Sequence, residues 1–229
     1  MNDEPRASAS IRGEQLVLLP ELAVFWARTQ TLLVADPHFG KAAAFRAAGI
    51  PVPRGTTSSG IERLDAIVAG ESVRRIVFLG DFLHAKAGRA PETLRTLAAW
   101  RSARPELELL LVRGNHDARA GDPPGELRVT CKDAPVVEPP FVFAHVPAPS
   151  NDGYVLAGHL HPGAQLVGAA KQRERLPCFW FGAEVGVLPA YGDFTGLATV
   201  TPADGDEVFV VADGRVILVS GAESRAANT

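Results

Sequence analysis

Cysteine is almost absent: Cys131 and Cys178 are the only two in 229 residues. One distant pair makes neither a disulfide framework nor a thiolate cage for a structural zinc, and it fits a reducing cytoplasm. Excess positive charge is missing as well. Lys and Arg number 23 against 26 Asp and Glu, a formal charge of −3 with a pI near 6.1, so there is no global basic field of the kind that non-specific nucleic-acid binders use. No apolar run is long enough to cross a bilayer, and Met1 to Ser10 is polar, with no signal-peptide core. No membrane partner is therefore expected, and a soluble, cytoplasmic protein is. There is no internal repeat and no low-complexity tract.

What is present suits one folded domain. At 46% hydrophobic, 229 residues bury a full core and leave little room for a second. The domain is expected over residues 13–220, with residues 1–12 and 221–229, small and polar, expected to fray. Gln15 to Leu19, Ala23 to Ala27 and Thr31 to Ala35 are β-rich runs divided by turns, and should form adjacent strands. Lys41 to Ala48, Ser58 to Gly70 and Pro91 to Arg101 have helical character, the second through Ile61, Leu64, Ile67 and Val68 on one face and the third through proline at its start. They alternate with strands at 75–79 and 107–112, which implies βαβ units and partly parallel pairing. Beyond His116 come short runs at 127–130, 135–137, 141–144, 154–157, 176–181, 197–200, 207–211 and 216–219. Asp204-Gly205 and Asp213-Gly214 are hairpin-type signals among them, so this half reads as mostly antiparallel. The expected class is α/β (α+β): two mixed sheets face to face, with helices outside.

The chemistry collects at strand ends. Arg113-Gly114-Asn115-His116-Asp117 follows an apolar run; so do Asp36-Pro37-His38, Gly80-Asp81, His145 and Gly158-His159-Leu160-His161. Five of the six histidines lie in these positions, and the sixth, His84, is three residues past Asp81. Asn115 offers a neutral amide oxygen to a cation, His116 an acid or base in the physiological range, and Asp117 a carboxylate that can hold the His116 ring in one tautomer. Asp36, His38, Asp81, Asn115, His145, His159 and His161 form a mixed nitrogen and oxygen set. It is too nitrogen-rich for magnesium or calcium and it suits manganese, iron or zinc.

The order D-x-H, G-D, G-N-H-D, H, G-H-x-H over residues 36–161 resembles the calcineurin-like metallophosphoesterase superfamily. The phrase from Ala35 to Arg46, with Gly49-Ile50-Pro51-Val52-Pro53 behind it and Leu188 to Gly196 later, is similar to the bacterial DNA-ligase-associated endonuclease branch. The resemblance implies a four-layer αββα sandwich and two divalent metal ions, manganese foremost, with iron or zinc as alternatives. By the same resemblance Asp36, His38 and His161 hold one ion, Asn115, His145 and His159 hold the other, and Asp81 bridges. The pair would lower the pKa of a shared water that attacks phosphorus in line. His116, held by Asp117, would stabilise phosphoryl oxygens or protonate the leaving group without holding metal. The one departure is Ala144, where many relatives have glycine before the histidine.

The function expected on these grounds is a binuclear phosphodiesterase, a manganese-dependent endonuclease on single-stranded DNA in DNA repair, linked to a DNA ligase, helicase or exonuclease. Its rivals are a small-molecule phosphomonoesterase or nucleotide pyrophosphatase, and a metal-free scaffold on the same fold, which the complete ligand set disfavours. Lys41 at a helix start, with Arg46 and Arg54 on or near a proline-stiffened loop, are candidate phosphate contacts, and Phe39 and Phe45 candidate base-stacking rings, with core packing as the alternative for Phe45. His84 either contacts phosphate or is structural. Lys171, Arg173 and Arg175 with Phe179, Trp180 and Phe181 read as a basic and aromatic strip for single-stranded nucleic acid, or more simply as a solvated loop and a core strand. Gly40-Lys41 lacks the rest of a phosphate-loop motif.

Overall fold

In the computed structural model, residues 5–167 and 173–220 are described. Residues 1–4 and 221–229 of the expected frayed ends, and Lys171 of the basic strip, lie outside them. The first sheet holds β1 (Ala7–Ile11), β2 (Glu14–Leu19), β3 (Ala23–Trp26), β4 (Thr31–Val34), β5 (Arg75–Phe78), β6 (Glu108–Val112) and β7 (Thr130–Lys132), in that order across the sheet. β1 to β4 pair antiparallel, and β4 to β7 pair parallel. The second sheet holds β8 (Val136–Glu138), β9 (Phe141–Phe143), β10 (Tyr154–Ala157), β11 (Pro162–Val167), β12 (Arg173–Phe181), β13 (Val185–Val187), β14 (Ala198–Thr199), β15 (Glu207–Ala212) and β16 (Arg215–Ser220). Its order is β14-β11-β12-β13-β10-β9-β8, with β15 joining β12 to β16. Here β9–β10, β10–β13 and β11–β14 are parallel and the other pairings antiparallel.

The side-chain period of a strand explains the layering. In the central strands of the first sheet, Leu33, Val77, Leu79, Leu110 and Val112 face a core shared with Phe141, Phe143, Leu156, Phe179 and Phe181 of the second sheet. The alternate residues Leu32, Val34, Ile76, Phe78, Leu109 and Leu111 face a second core. There they meet Ile61, Leu64 and Ile67 of α2 (Thr56–Gly70, after α1, Lys41–Ala47) and Leu97 and Trp100 of α3 (Pro91–Ala103). The expected class therefore holds, two mixed sheets face to face with flanking helices. The helices are unevenly shared: the last, α4 (Asp117–Ala120), is followed only by a short turn at Gly125–Leu127, and among the described residues no helix comes after it. Arg75 of β5 ties the sheets together by donating two hydrogen bonds, 2.6 and 2.7 Å, to the Glu138 carboxylate of β8. No helix among the described residues is long and apolar enough to cross a membrane.

Several boundaries depart from expectation. Residues 7–11, counted with the frayed end, form the edge strand β1 on β2, with Ala9 and Ile11 turned into the core. Leu127 ends a tight turn rather than starting a strand, and its carbonyl accepts from the buried Arg101 side chain. β11 and β13 were not anticipated. Asp213-Gly214 is a two-residue hairpin, both residues at positive φ, but Asp204-Gly205 is a turn leading into β15. Phe179 and Phe181 are core residues and Trp180 donates to Asp206, so the simpler reading of that strand holds.

Candidate metal centre

Every candidate ligand lies just past the carboxyl end of a strand. Asp36 and His38 follow β4, Asp81 follows β5, Asn115 follows β6, His145 follows β9, and His159 and His161 follow β10. β4, β5 and β6 are parallel, as are β9 and β10, so within each sheet these ends share one edge, the usual place for a site in such sheets. The two edges meet: the His159 amide donates to Asp36 Oδ2 at 2.8 Å, and His145 Nδ1 lies 3.0 Å from the Leu79 carbonyl oxygen. The backbone turns hard to aim these side chains. Asp36, His38, Asp81, His159 and His161 have φ of 49, 46, 54, 70 and 49°, left-handed values that cost on the order of 1–3 kcal/mol each and cluster where function requires them. Two glycines allow the close approach: a Cβ at Gly114 would sit 2.3 Å from Asp81 Oδ1, and one at Gly158 2.5 Å from Asp36 Oδ2.

Six of the seven side chains fall into two groups. Asp36, His38 and His161 place donor atoms within 4.8 Å of one another. In the other group His145 Nε2 lies 2.8 Å from Asn115 Oδ1 and 3.0 Å from His159 Nδ1. Asp81 stands between them, Oδ1 3.5 Å from His145 Nε2 and Oδ2 3.8 Å from His38 Nε2.

The electrostatics fit divalent cations. Asp36 is fully buried and its Oδ1 has no hydrogen-bond partner; a ring nitrogen of His38 is orphaned too. A buried carboxylate oxygen left alone is costly, and a cation relieves it. Burial, chiefly, holds His38 down to about 2 and His161 to about 4 and lowers His159, so these rings are neutral and offer lone pairs. Burial also pushes Asp36 well above the usual carboxylate range. Because a carbonyl only accepts, the Leu79 contact keeps a proton on His145 Nδ1. That leaves Nε2 bare and facing the Asn115 oxygen, the arrangement of a histidine ligand oriented by a backbone carbonyl.

The expectation for Asp117 is corrected here. Its carboxylate does not hold the His116 ring; it accepts from the amides of Asp81 at 2.7 Å, Phe82 at 3.0 Å and Gly114 at 2.9 Å. Asp117 opens the turn of α4, which carries its side chain back beneath both loops. Replacing it with alanine strands buried N–H groups at about 1–3 kcal/mol each, so Asp117→Ala should lower the unfolding free energy in urea by more than about 2 kcal/mol. Unchanged stability would show that the carboxylate is not the anchor. The His116 ring is oriented by His84: Nδ1 lies 2.6 Å from the His84 carbonyl oxygen, and the two rings stack at 4.9 Å. Nothing in the sequence signals this backbone contact.

The other candidates scatter. Lys41 is half-buried at the start of α1, close enough to feel the charges of Asp36 and Asp81, while burial lowers its pKa. Arg46 donates from one nitrogen to the Pro53 carbonyl at 3.1 Å, which staples the following loop. Arg54 is exposed. Phe39 is buried against Phe82 and can stack no base; Phe45 is half-buried, with its ring 5.8 Å from His84. His84 also lies with His38 and His116 in a third cluster of ring nitrogens.

No family model matches the chain, and no curated protein matches it. Among solved structures, Pseudomonas putida nuclease MPE matches with a TM-score of 0.83 and 41% identity, over 93% of this chain and 99% of that one. The phosphoesterase Yfce of E. coli matches at a TM-score of 0.40 and 16% identity, over 82% of this chain and 96% of that one, a level too low to bear on the fold. With the fold shared along almost its full length, and with two aspartates, an asparagine and four histidines gathered at its strand ends, the chain belongs to the family of the Pseudomonas putida nuclease MPE.

Proposed function

We propose that the protein is a manganese-dependent endonuclease that cuts single-stranded DNA and serves in DNA repair. The observation that carries the phosphodiester reading is the Asp81 carboxylate, which turns one oxygen to each nitrogen-rich group. The likeness to a nuclease over nearly the whole chain supports the choice of nucleic acid. Manganese suits five oxygen- and nitrogen-bearing loops that offer no thiolate. Asp36, His38 and His161 would hold one ion and Asn115, His145 and His159 the other, with Asp81 between. Such a pair neutralises phosphoryl charge and lowers the pKa of water.

The chain's own groups complete the reaction. With Nδ1–H given to the His84 carbonyl, His116 presents Nε2, 3.9 Å from Asp81 Oδ2, as the nitrogen through which the doubly protonated ring would donate to a phosphoryl oxygen or to the departing one. Lys41 lies at the site's edge with a charge suited to a neighbouring phosphate, and Arg54 could take another farther along the strand. A flexible single strand can bend its scissile phosphate into this recess, whereas rigid duplex calls for a broad basic face, which a net charge of −3 does not favour. The link to a DNA ligase, helicase or exonuclease rests on the resemblance alone, and a shared operon would support it.

The test compares a circular single-stranded DNA, the matching duplex circle and a nucleoside monophosphate at equal phosphate concentration, with manganese. The single-stranded circle should be opened fastest. If it survives while the monophosphate is hydrolysed quickly, the endonuclease reading fails and a small-molecule phosphatase takes its place.

A further inference from the structure

The loop between β13 and β14 is clamped onto the metal centre at both ends. On one side the amide of Tyr191 donates to the Ala35 carbonyl at 2.8 Å, and that of Gly192 to the Asp36 carbonyl at 3.1 Å. Arg63 of α2 fixes the same side by donating to the Tyr191 carbonyl at 2.7 Å and to Asp193 at 3.2 Å. On the other side the amide of Ala198 donates to the His161 carbonyl at 3.0 Å. Phe194 sits midway, between a contact on one ligand of the first group and a contact on another.

Phe194 violates two ordinary rules at once. Its φ is 58°, a left-handed value that is a genuine outlier for a bulky residue. The residue is also 47% exposed, so about half of it faces solvent and not the core. Two more exposed apolar residues stand next to ligands along the chain: Leu160, 38% exposed, between His159 and His161, and Val146, 53% exposed, after His145. The loop's one acidic group, Asp193, is already paired with Arg63. An exposed aromatic ring on the rim made by this loop suits a flat uncharged surface and not a phosphate.

We infer that Phe194 is a stacking platform for an unpaired base of the substrate strand next to the scissile phosphate, an inference that rests on the single-strand phosphodiesterase reading. A phosphate seated among the ligands sends its flanking nucleoside out over this rim. An aromatic face holds any base without regard to sequence. A paired base would first have to leave its stack, so the platform selects for unpaired strands.

The experiment measures kcat and KM on an oligothymidylate and on an abasic deoxyribose-phosphate oligomer of equal length. Wild type should favour the oligothymidylate. Phe194→Ala, and Phe194→Asn, whose side chain suits a left-handed backbone, should lower the kcat/KM ratio of thymidylate to abasic oligomer by roughly 5- to 100-fold, mostly through KM. Phe194→Trp should restore it, and no variant should melt below wild type. An unchanged ratio while wild type still cuts the oligothymidylate overturns the platform and leaves the phosphodiesterase reading intact. Wild type that cuts neither oligomer overturns both.

Discussion

Asp81→Ala should bring hydrolysis of a chromogenic phosphodiester down to background. Asp81 Oδ1 both faces His145 Nε2 at 3.5 Å and accepts from the His116 amide at 2.9 Å, while Oδ2 lies 3.8 Å from His38 Nε2. Removing this one carboxylate therefore strips charge from both ligand groups and frees the loop that carries His116. It leaves Asp36 as the only carboxylate of the seven ligands. Elemental analysis should find fewer than two metal equivalents in the variant. Circular dichroism should remain that of wild type, because the Asp117 anchor grips the backbone of residue 81 and not its side chain. Retention of more than a tenth of the rate, a barrier change of only about 1.4 kcal/mol, would show that Asp81 is not shared by the two groups.

His116→Ala should behave differently, keeping both ions but losing on the order of 10² to 10⁴ in rate, the range for an acid–base group. The structure makes the ion count decisive, since ring nitrogens of His38, His84 and His116 lie close enough together to hold a cation of their own. The contact of His116 Nδ1 with the His84 carbonyl speaks for proton transfer through Nε2. Loss of one metal equivalent in His116→Ala would instead make it a ligand.

That these seven side chains gather at one place was legible in the sequence, because metal chemistry restricts residue types. Aspartate and histidine directly after apolar runs, repeated at strand end after strand end, are what a metal pair demands and what an ordinary solvated surface does not produce. The shape of the loops was not legible. Asp117 stands next to His116 in sequence, yet the turn of α4 points its carboxylate at amides of residues 81, 82 and 114. Phe39 looked like an edge aromatic, but a bridge to Leu83 draws its backbone inward and buries the ring. β1 was missed because Ala-Ser-Ala-Ser-Ile carries only small side chains until its last residue and takes its strand form from pairing with β2. β11 opens on Pro-Gly and β13 spans three residues, too little for any period to register. The left-handed φ at Phe194 and at five ligands has no one-dimensional signal either, since each is imposed by what the flanking strands do.

The division of the ligands between the sheets reaches beyond catalysis. Asp36, His38, Asp81 and Asn115 belong to the first sheet, and His145, His159 and His161 to the second. Each group of three draws on both, so an ion that binds here binds the docked sandwich and not its separated halves. Metal loading and folding are then linked equilibria. A cation at a hundred times its dissociation constant deepens the native state by about 2.7 kcal/mol per independent site. The level of free divalent cation would thus bear on how long this chain survives as well as on how fast it works.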